Sequence, residues 1–233
     1  MPTINVGRQG YIVGQGNSNF TTARQTGNSA VDSPTGNVTI AFRYFFSSGR
    51  GATHSMYRTY LYFDTSGISG LIPVGTTAVL NITGVTNNGG DFTVIKSTAF
   101  GGDGGTALAT SDFYTSLNYS TPYAGEETSW SSSGNNAISL NTNALNDIYN
   151  NNDFTLAIVN YTHDFQNSAA SVSVTKNNGI AFGTTITLVI TEPSGPANLA
   201  SFSGVAKANI ADIDTISLGN ISSISGVDYH LSI

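Results

Sequence analysis

The chain contains no cysteine. That excludes a disulfide framework, a thiolate nucleophile and any cysteine-ligated zinc site. Charge is nearly as scarce: 9% of the 233 residues are Asp, Glu, Lys or Arg, against roughly 25% in an ordinary soluble domain. Lys and Glu, the usual residues of solvent-facing helix surfaces, are few, whereas Val, Ile, Thr, Tyr and Phe recur in short runs between Gly and Asn, so the chain reads as strand and turn. Solubility then rests on Asn, Ser, Thr and Gly. No run approaches the ~20 apolar residues of a membrane span, and the start, MPTINVGRQGYIVGQG, lacks the charged and apolar regions of a secretory signal. The expectation is a protein made in a cytoplasm that leaves, if at all, by lysis or a specialised route.

The net charge of -6 is unevenly spread. Up to position 58, Arg8, Arg24, Arg43, Arg50 and Arg58 face Asp32 alone, a net +4; Lys96, Lys176 and Lys207 against 13 acidic residues give the remainder a net -10. Scattered arginines without lysine clusters or interleaved aromatics do not make a nucleic-acid footprint. Arg8, Arg24, Arg43 and Arg50 are instead candidates for contact with an acidic protein surface.

Strands are expected at Gly10 to Val13, Val38 to Phe46, Tyr57 to Phe63, Ala78 to Val85, Phe92 to Ser97, Ala137 to Leu140, Phe154 to Tyr161, Ala170 to Thr175 and Thr184 to Ile190. Short strands with Gly-rich and Asn-rich separators indicate an all-β antiparallel sandwich, jelly-roll-like, with one main core. In DFTLAIVNY both alternating faces are largely apolar, which predicts a central strand. NTNALNDIYNNND breaks the pattern: an Asn or Thr cap precedes Ala144, Leu145, Ile148 and Tyr149 at helical spacing, so one short helix is expected there. FGGDGGTALATSDF, with four glycines around Asp103, lacks the oxygen series of a calcium loop and reads as a surface turn. The following segment carries Tyr114, Tyr119, Tyr123 and the lone Trp130, which either roof a core edge or offer rings for stacking on sugars.

Catalytic signals are weak. Of His54, His163 and His230 only His163 has an adjacent carboxylate, Asp164, and neighbours on a strand would point to opposite faces. Glu126 and Glu127 have no marked partner for glycoside hydrolysis, and Gly14-Gln-Gly16 is not followed by a third glycine and a helix. No cofactor, metal ligand set or enzyme activity is expected.

The character changes at TEPSGPANLASFSG, where prolines and glycines mark a linker. Beyond it Asn209-Ile210, Ile213 and Ile216 recur eleven residues later as Asn220-Ile221, Ile224 and Val227. An apolar residue at every third position fits neither a strand nor, with its glycines and β-branched residues, a comfortable helix. Three-sided packing satisfies it, and so short a segment cannot bury its own isoleucines. The organisation expected is a sandwich over 1–191, a linker over 192–203 and an assembly tail over 204–233.

RTYLYFDTSGI, from Arg58 to Ile68, resembles the signature strand of DNRLRE-type β-sandwich domains, in which an arginine leads an apolar strand into Phe-Asp and a Ser-Gly turn. The likeness extends through the strand at Ala78 to Ile82, the strand, short helix and buried strand from Ile138 to Val159, and the closing strand at Thr184 to Ile190. It covers roughly residues 4 to 191 and implies the fold; members include carbohydrate-binding modules, which implies sugar binding as an alternative through Trp130, Tyr114, Tyr119 and Tyr123. In the signature strand, Leu61 and Phe63 are expected to fill the core from one face while Arg58, Tyr60, Tyr62 and Asp64 lie on the other. The tail from Gly204 resembles terminal repeats of tailed-phage structural proteins. Together these readings point to a non-enzymatic virion component, a capsid decoration or cement protein. It would form a homo-oligomer, most simply a trimer, through Ile210, Ile213, Ile216, Ile221, Ile224 and Val227, and bind the major capsid protein or other virion proteins.

Overall fold

The computed structural model describes residues 2–32, 40–47, 49, 51–170 and 176–193, with 40–46, 176–177 and 184 as backbone only. Beyond these it describes the backbone of 201–202, 205–206, 223–224 and 227–228. Eleven strands form the body: β1 (Thr3–Asn5), β2 (Arg8–Asn17), β3 (Ser29–Asp32), β4 (Ile40–Ser47), β5 (Thr53–Asp64), β6 (Thr77–Asn87), β7 (Phe92–Ser97), β8 (Leu117–Pro122), β9 (Asn135–Leu140), β10 (Asp153–Asn160) and β11 (Lys176–Thr191). All their pairings are antiparallel. The continuous path runs β8-β7-β10-β5-β4-β11-β6-β9, with β2 also on β5, β3 on β2 and β1 on β11.

This ribbon closes over itself as a sandwich. One wall is β8, β7, β10, β5, β2 and β3; the other is β11, β6, β9 and β1, and β4 joins them. Between the walls, Leu61, Phe63, Val94, Phe154, Leu156 and Ile158 meet Leu80, Ile82, Ile138, Phe182, Ile186 and Leu188 in one buried cluster. β10 occupies the central position its composition predicts, flanked by β7 and β5 and buried along both faces from Phe154 to Asn160.

Among the described residues three α-helices accompany the sheets, two more than the sequence pattern reveals: α1 (Phe20–Gln25), α2 (Asp112–Thr115) and α3 (Thr142–Asn150). α3 forms where the cap pattern places it, with the Asn141 side chain accepting hydrogen bonds from the N–H groups of Asn143 and Ala144. Its apolar stripe of Ala144, Leu145, Ile148 and Tyr149 closes one end of the core. The Tyr149 hydroxyl donates to Glu192 at 2.5 Å, fixing the chain just after β11 ends.

There is a second core, where the sequence suggests one. On β5 the odd-numbered residues Leu61 and Phe63 face the sandwich interior, as expected, but the opposite face is covered too. Met56 and Tyr60 from β5, Ile12 from β2, Ile95 from β7, and Ala157 and Val159 from β10 pack beneath Phe100, Leu108 and Phe113. The six-residue α1 lies close over β2 because Gly14 has no side chain: a Cβ there would sit 2.5 Å from the Thr26 carbonyl oxygen and 2.8 Å from the Phe113 ring.

Past Glu192 the described backbone comprises two hairpins of two-residue strands, Ser201–Phe202 with Val205–Ala206 and Ser223–Ile224 with Val227–Asp228. Ile224 and Val227 are thus paired across the second hairpin. Ile210, Ile213, Ile216 and Ile221 lie outside the described residues, as does 171–175 of the expected Ala170 to Thr175 strand.

The two-sided burial of β10 and the single-sided cap of α3 set unequal stability costs. Truncating Leu156 to Ala should destabilise the fold by about 2–5 kcal/mol, as for other fully buried leucines. Asn141→Ala should cost about 1 kcal/mol, the usual value of an N-cap. Urea unfolding monitored by circular dichroism measures both, and equal losses would contradict this placement of the core.

Candidate functional site

The strongest concentration of polar chemistry lies inside the second core. β5 changes partner along its length: Thr53 to Tyr57 pair with β4, Thr59 to Asp64 pair with β10. Arg58 stands at the changeover and is fully buried. A buried guanidinium needs nearly all of its five N–H donors satisfied. Nε donates to Asp164 Oδ2 at 2.6 Å and Nη2 to Asp164 Oδ1 at 2.8 Å, a bidentate pair of the strong fork type. Nη2 also donates to the Arg24 carbonyl at 2.7 Å, Nη1 donates to the Phe113 carbonyl, and the guanidinium sits 3.9 Å from the Phe113 ring centroid. The Arg24 and Phe113 carbonyls belong to α1 and α2, whose end carbonyls lack helical partners, so one side chain ties two helices to the sheet.

Asp164 reaches Arg58 because β10 runs into a π-helical turn, Tyr161–Phe165, rather than continuing as strand. The Asn160 side-chain oxygen accepts from the His163 N–H at 2.7 Å, and Asp91 accepts from Asn160 Nδ2 and from the Thr162 N–H and hydroxyl. Tyr119 donates to Asp164 Oδ1 at 2.8 Å, and Arg24 donates from Nε to the Asp164 carbonyl at 2.7 Å while lying 4.3 Å from the Tyr119 ring centroid. Burial alone would lower the basicity of Arg58, but the adjacent Asp164, with Tyr119 and the hydrogen bond to Asp164, reverses that and holds the guanidinium above its ordinary range. Burial lowers the basicity of His54, and electrostatic repulsion from His163 lowers it further. Among the described residues no three His, Cys, Asp or Glu side chains are grouped to hold a metal ion.

The other candidate site is an open cleft of about 270 Å³ at the end of the first wall. β5 pairs with β10 from Asp153, whereas β7 pairs with it only from Leu156, since β7 ends at Ser97. The gap left beside residues 153–155 is bounded by Thr98 and Gly102 on one side and by Asp147 and Asn151 of α3 and its cap on the other. Lys96 Nζ donates to both Asp147 oxygens at 3.0 and 2.9 Å, Tyr123 donates to Asp147 Oδ2 at 2.5 Å, and Tyr62 donates to Asp153 Oδ1 at 2.8 Å. Gly104, with φ 74°, lies against the Tyr62 ring, where a Cβ would come within 2.6 Å. This is the physical use of the glycine run around Asp103, whose side chain accepts from the Gly105 N–H at 2.8 Å in an exposed turn.

The residues singled out from sequence fall differently. Trp130, 7% exposed, and Tyr123, 1% exposed, are core residues: Trp130 packs edge-on against Phe92 and tilted against Phe182. Neither ring stands exposed as a stacking platform, and Tyr123 lines the cleft beside residues 153–155. Tyr114 and Tyr119 tilt against each other with Arg24 over both rings. Arg24 is buried in this network, and Arg8 pairs with Asp32 at 2.5 Å and donates to the Gly104 and Thr106 carbonyls, so both spend their hydrogen bonds within the chain. The Arg43 side chain and Arg50 lie outside the described residues. Glu126 is exposed; the Glu127 backbone bridges to Phe92. Sequence reasoning missed the cleft, whose residues come from four separate segments, and the partnership of Arg58 with Asp164, 106 positions apart.

No protein-family model matches the chain, and no curated protein matches it either.

Two predictions follow from these networks. Asp164→Asn should destabilise the protein by about 3–5 kcal/mol, because it leaves Arg58 buried without its counter-charge, while Arg58→Met combined with Asp164→Leu should cost less than that single change; a urea double-mutant cycle decides it. Burial, with hydrogen bonds to carboxylates, also keeps phenols protonated: burial and the Asp153 bond push Tyr62 up to about 12, and Tyr60, Tyr119, Tyr123 and Tyr149 are raised as well. Unfolded tyrosines ionise near 10, so stability should be complete below about pH 10 and fall as pH climbs towards 12, the unfolded state losing protons first. Chemical denaturation across that range, with phenolate absorbance as a parallel readout, should show it.

Proposed function

We propose that this chain is a non-enzymatic virion structural protein, a capsid decoration or cement protein that associates through its C-terminal repeat. One observation carries the reading: the triplet Ile210, Ile213 and Ile216, each three residues apart, recurs eleven residues later as Ile221, Ile224 and Val227. A segment of about thirty residues with that spacing gathers its branched apolar residues into rows it has too little chain to cover, and gains by packing against copies of itself, most simply around a threefold axis. The resemblance of the tail to terminal repeats of tailed-phage structural proteins, and of the body to a sandwich family, supports the same reading. So does the way the body's charges are spent. Arg58, Asp164, Asp91 and Asp147 each hold segments of the fold together.

Attachment to a capsid then falls to the tail and the remaining surface, with a smaller share for the N-terminal arginines than their number suggests, since Arg8 and Arg24 bond internally. Truncation after Glu192 tests the proposal. Sedimentation equilibrium should show the full chain as an oligomer and the truncated chain as a monomer of unchanged melting temperature, because Thr191 ends the last strand of the body. A truncated chain that keeps the same oligomeric state, or a full chain that is monomeric, contradicts it.

A further inference from the structure

We propose that the loop joining β5 to β6 is a docking surface for a second copy of this chain, the body's own share of the contact that the tail begins; the inference rests on the tail reading above. Three large apolar residues stand exposed among the described residues: Leu71 at 88%, Val74 at 66% and Val85 at 45%. Two of them lie within residues 65–76, TSGISGLIPVGT, a stretch without a charged residue. Their exposure is built into the fold. Ile68 is buried and Ile72 packs on the main core. The Thr65 hydroxyl donates to the Asn151 carbonyl at 3.0 Å, the Thr65 N–H to the Asn152 carbonyl at 2.8 Å, and the Thr76 N–H to the Pro73 carbonyl at 3.0 Å. A loop anchored in this way keeps Ile68 and Ile72 inward while holding Leu71 and Val74 in water.

Position and size select the occupant. The chain leaves the body beside this loop: Tyr149 holds Glu192 at 2.5 Å, and a Cβ on Gly75, the neighbour of Val74, would stand 3.8 Å from the Pro193 ring. Residues 194–233, which carry the isoleucine recurrence, therefore start next to the exposed pair. Two side chains fall far short of the roughly 800 Å² per partner that a free-standing interface buries, so an independent partner gains too little here. A second copy already joined through its tail meets the loop at high effective concentration, and for it a small apolar contact adds directly to the association. Copies related by one rotation axis also present the same loop beside the same tail, so every copy can make the contact. With no charge in residues 65–76, covering them strands no ion.

Because the chain has no cysteine, Leu71→Cys labelled with pyrene maleimide places a single reporter on the loop, and Val85→Cys places one on β6 as a control. In the full chain the label at position 71 should give excimer emission that disappears on dilution in step with the oligomer seen by sedimentation, and the label at position 85 should give none. Leu71→Ser combined with Val74→Ser, both on exposed side chains, should leave the circular dichroism spectrum unchanged and raise the dissociation constant about tenfold. An oligomeric full chain that lacks excimer at position 71, or whose dissociation constant is unmoved by the double substitution, overturns this inference and leaves the tail reading standing. Excimer that persists when Ile213→Asp and Ile224→Asp are introduced into the full chain keeps the loop contact and overturns the tail reading. A monomeric full chain overturns both, and excimer equally strong at position 85 marks non-specific clustering and overturns the loop contact.

Discussion

The structure depends on one buried guanidinium. Placing Arg58 inside the second core carries a desolvation penalty of several kcal/mol, and the fold offsets it by surrounding the group with the Asp164 carboxylate, two helix-end carbonyls and an aromatic face. The reverse dependence matters more. α1 has six residues and α2 four, too few to be stable alone. Each gives a backbone carbonyl to Arg58, and the π turn gives its only buried carboxylate, so the layer over the first wall is held by contacts that converge on a single residue.

Much of this was legible in the sequence, and the limits are instructive. β10 announces itself as central because Phe154, Leu156 and Ile158 alternate with Ala157 and Val159, leaving no polar face. α3 is marked by Asn141 and a stripe at helical spacing. Edge strands such as β3 and β8 carry no such signature, since SAVD and LNYSTP are half-buried and mix polar with apolar residues. α1 could have been suspected from Asn19 as a cap to FTTARQ, where the Asn19 side chain indeed accepts from the Thr22 N–H. Its place over β2, by contrast, follows from Gly14, a tertiary reason that no local pattern encodes.

The site was less legible than the fold for the same reason. Arg58 at the head of an apolar strand reads equally as a solvent-facing charge, and His163-Asp164 reads as a strand pair with opposed side chains; only the π turn after Asn160 turns Asp164 inward. The cleft is a consequence of unequal strand lengths, β7 stopping at Ser97 while β10 begins at Asp153, and register of that kind is not written in either strand alone. The aromatic residues that looked most like a binding surface, Trp130 and Tyr123, lie in the core, where Trp130 packs on Phe92 and Phe182 and Tyr123 on Phe154. The body turns Arg24, Arg58 and Asp164 inward for cohesion.

The most direct test of this account is native-state hydrogen exchange on Arg58→Met. Amides of α1, α2 and the Tyr161–Phe165 turn should lose protection first and by the largest factor, while Leu80, Ile82, Leu188 and Ile190 in the second wall keep the protection set by global unfolding. Uniform loss throughout the body, or no loss in the layer over β2 and β5, would contradict the claim that this guanidinium holds that layer in place.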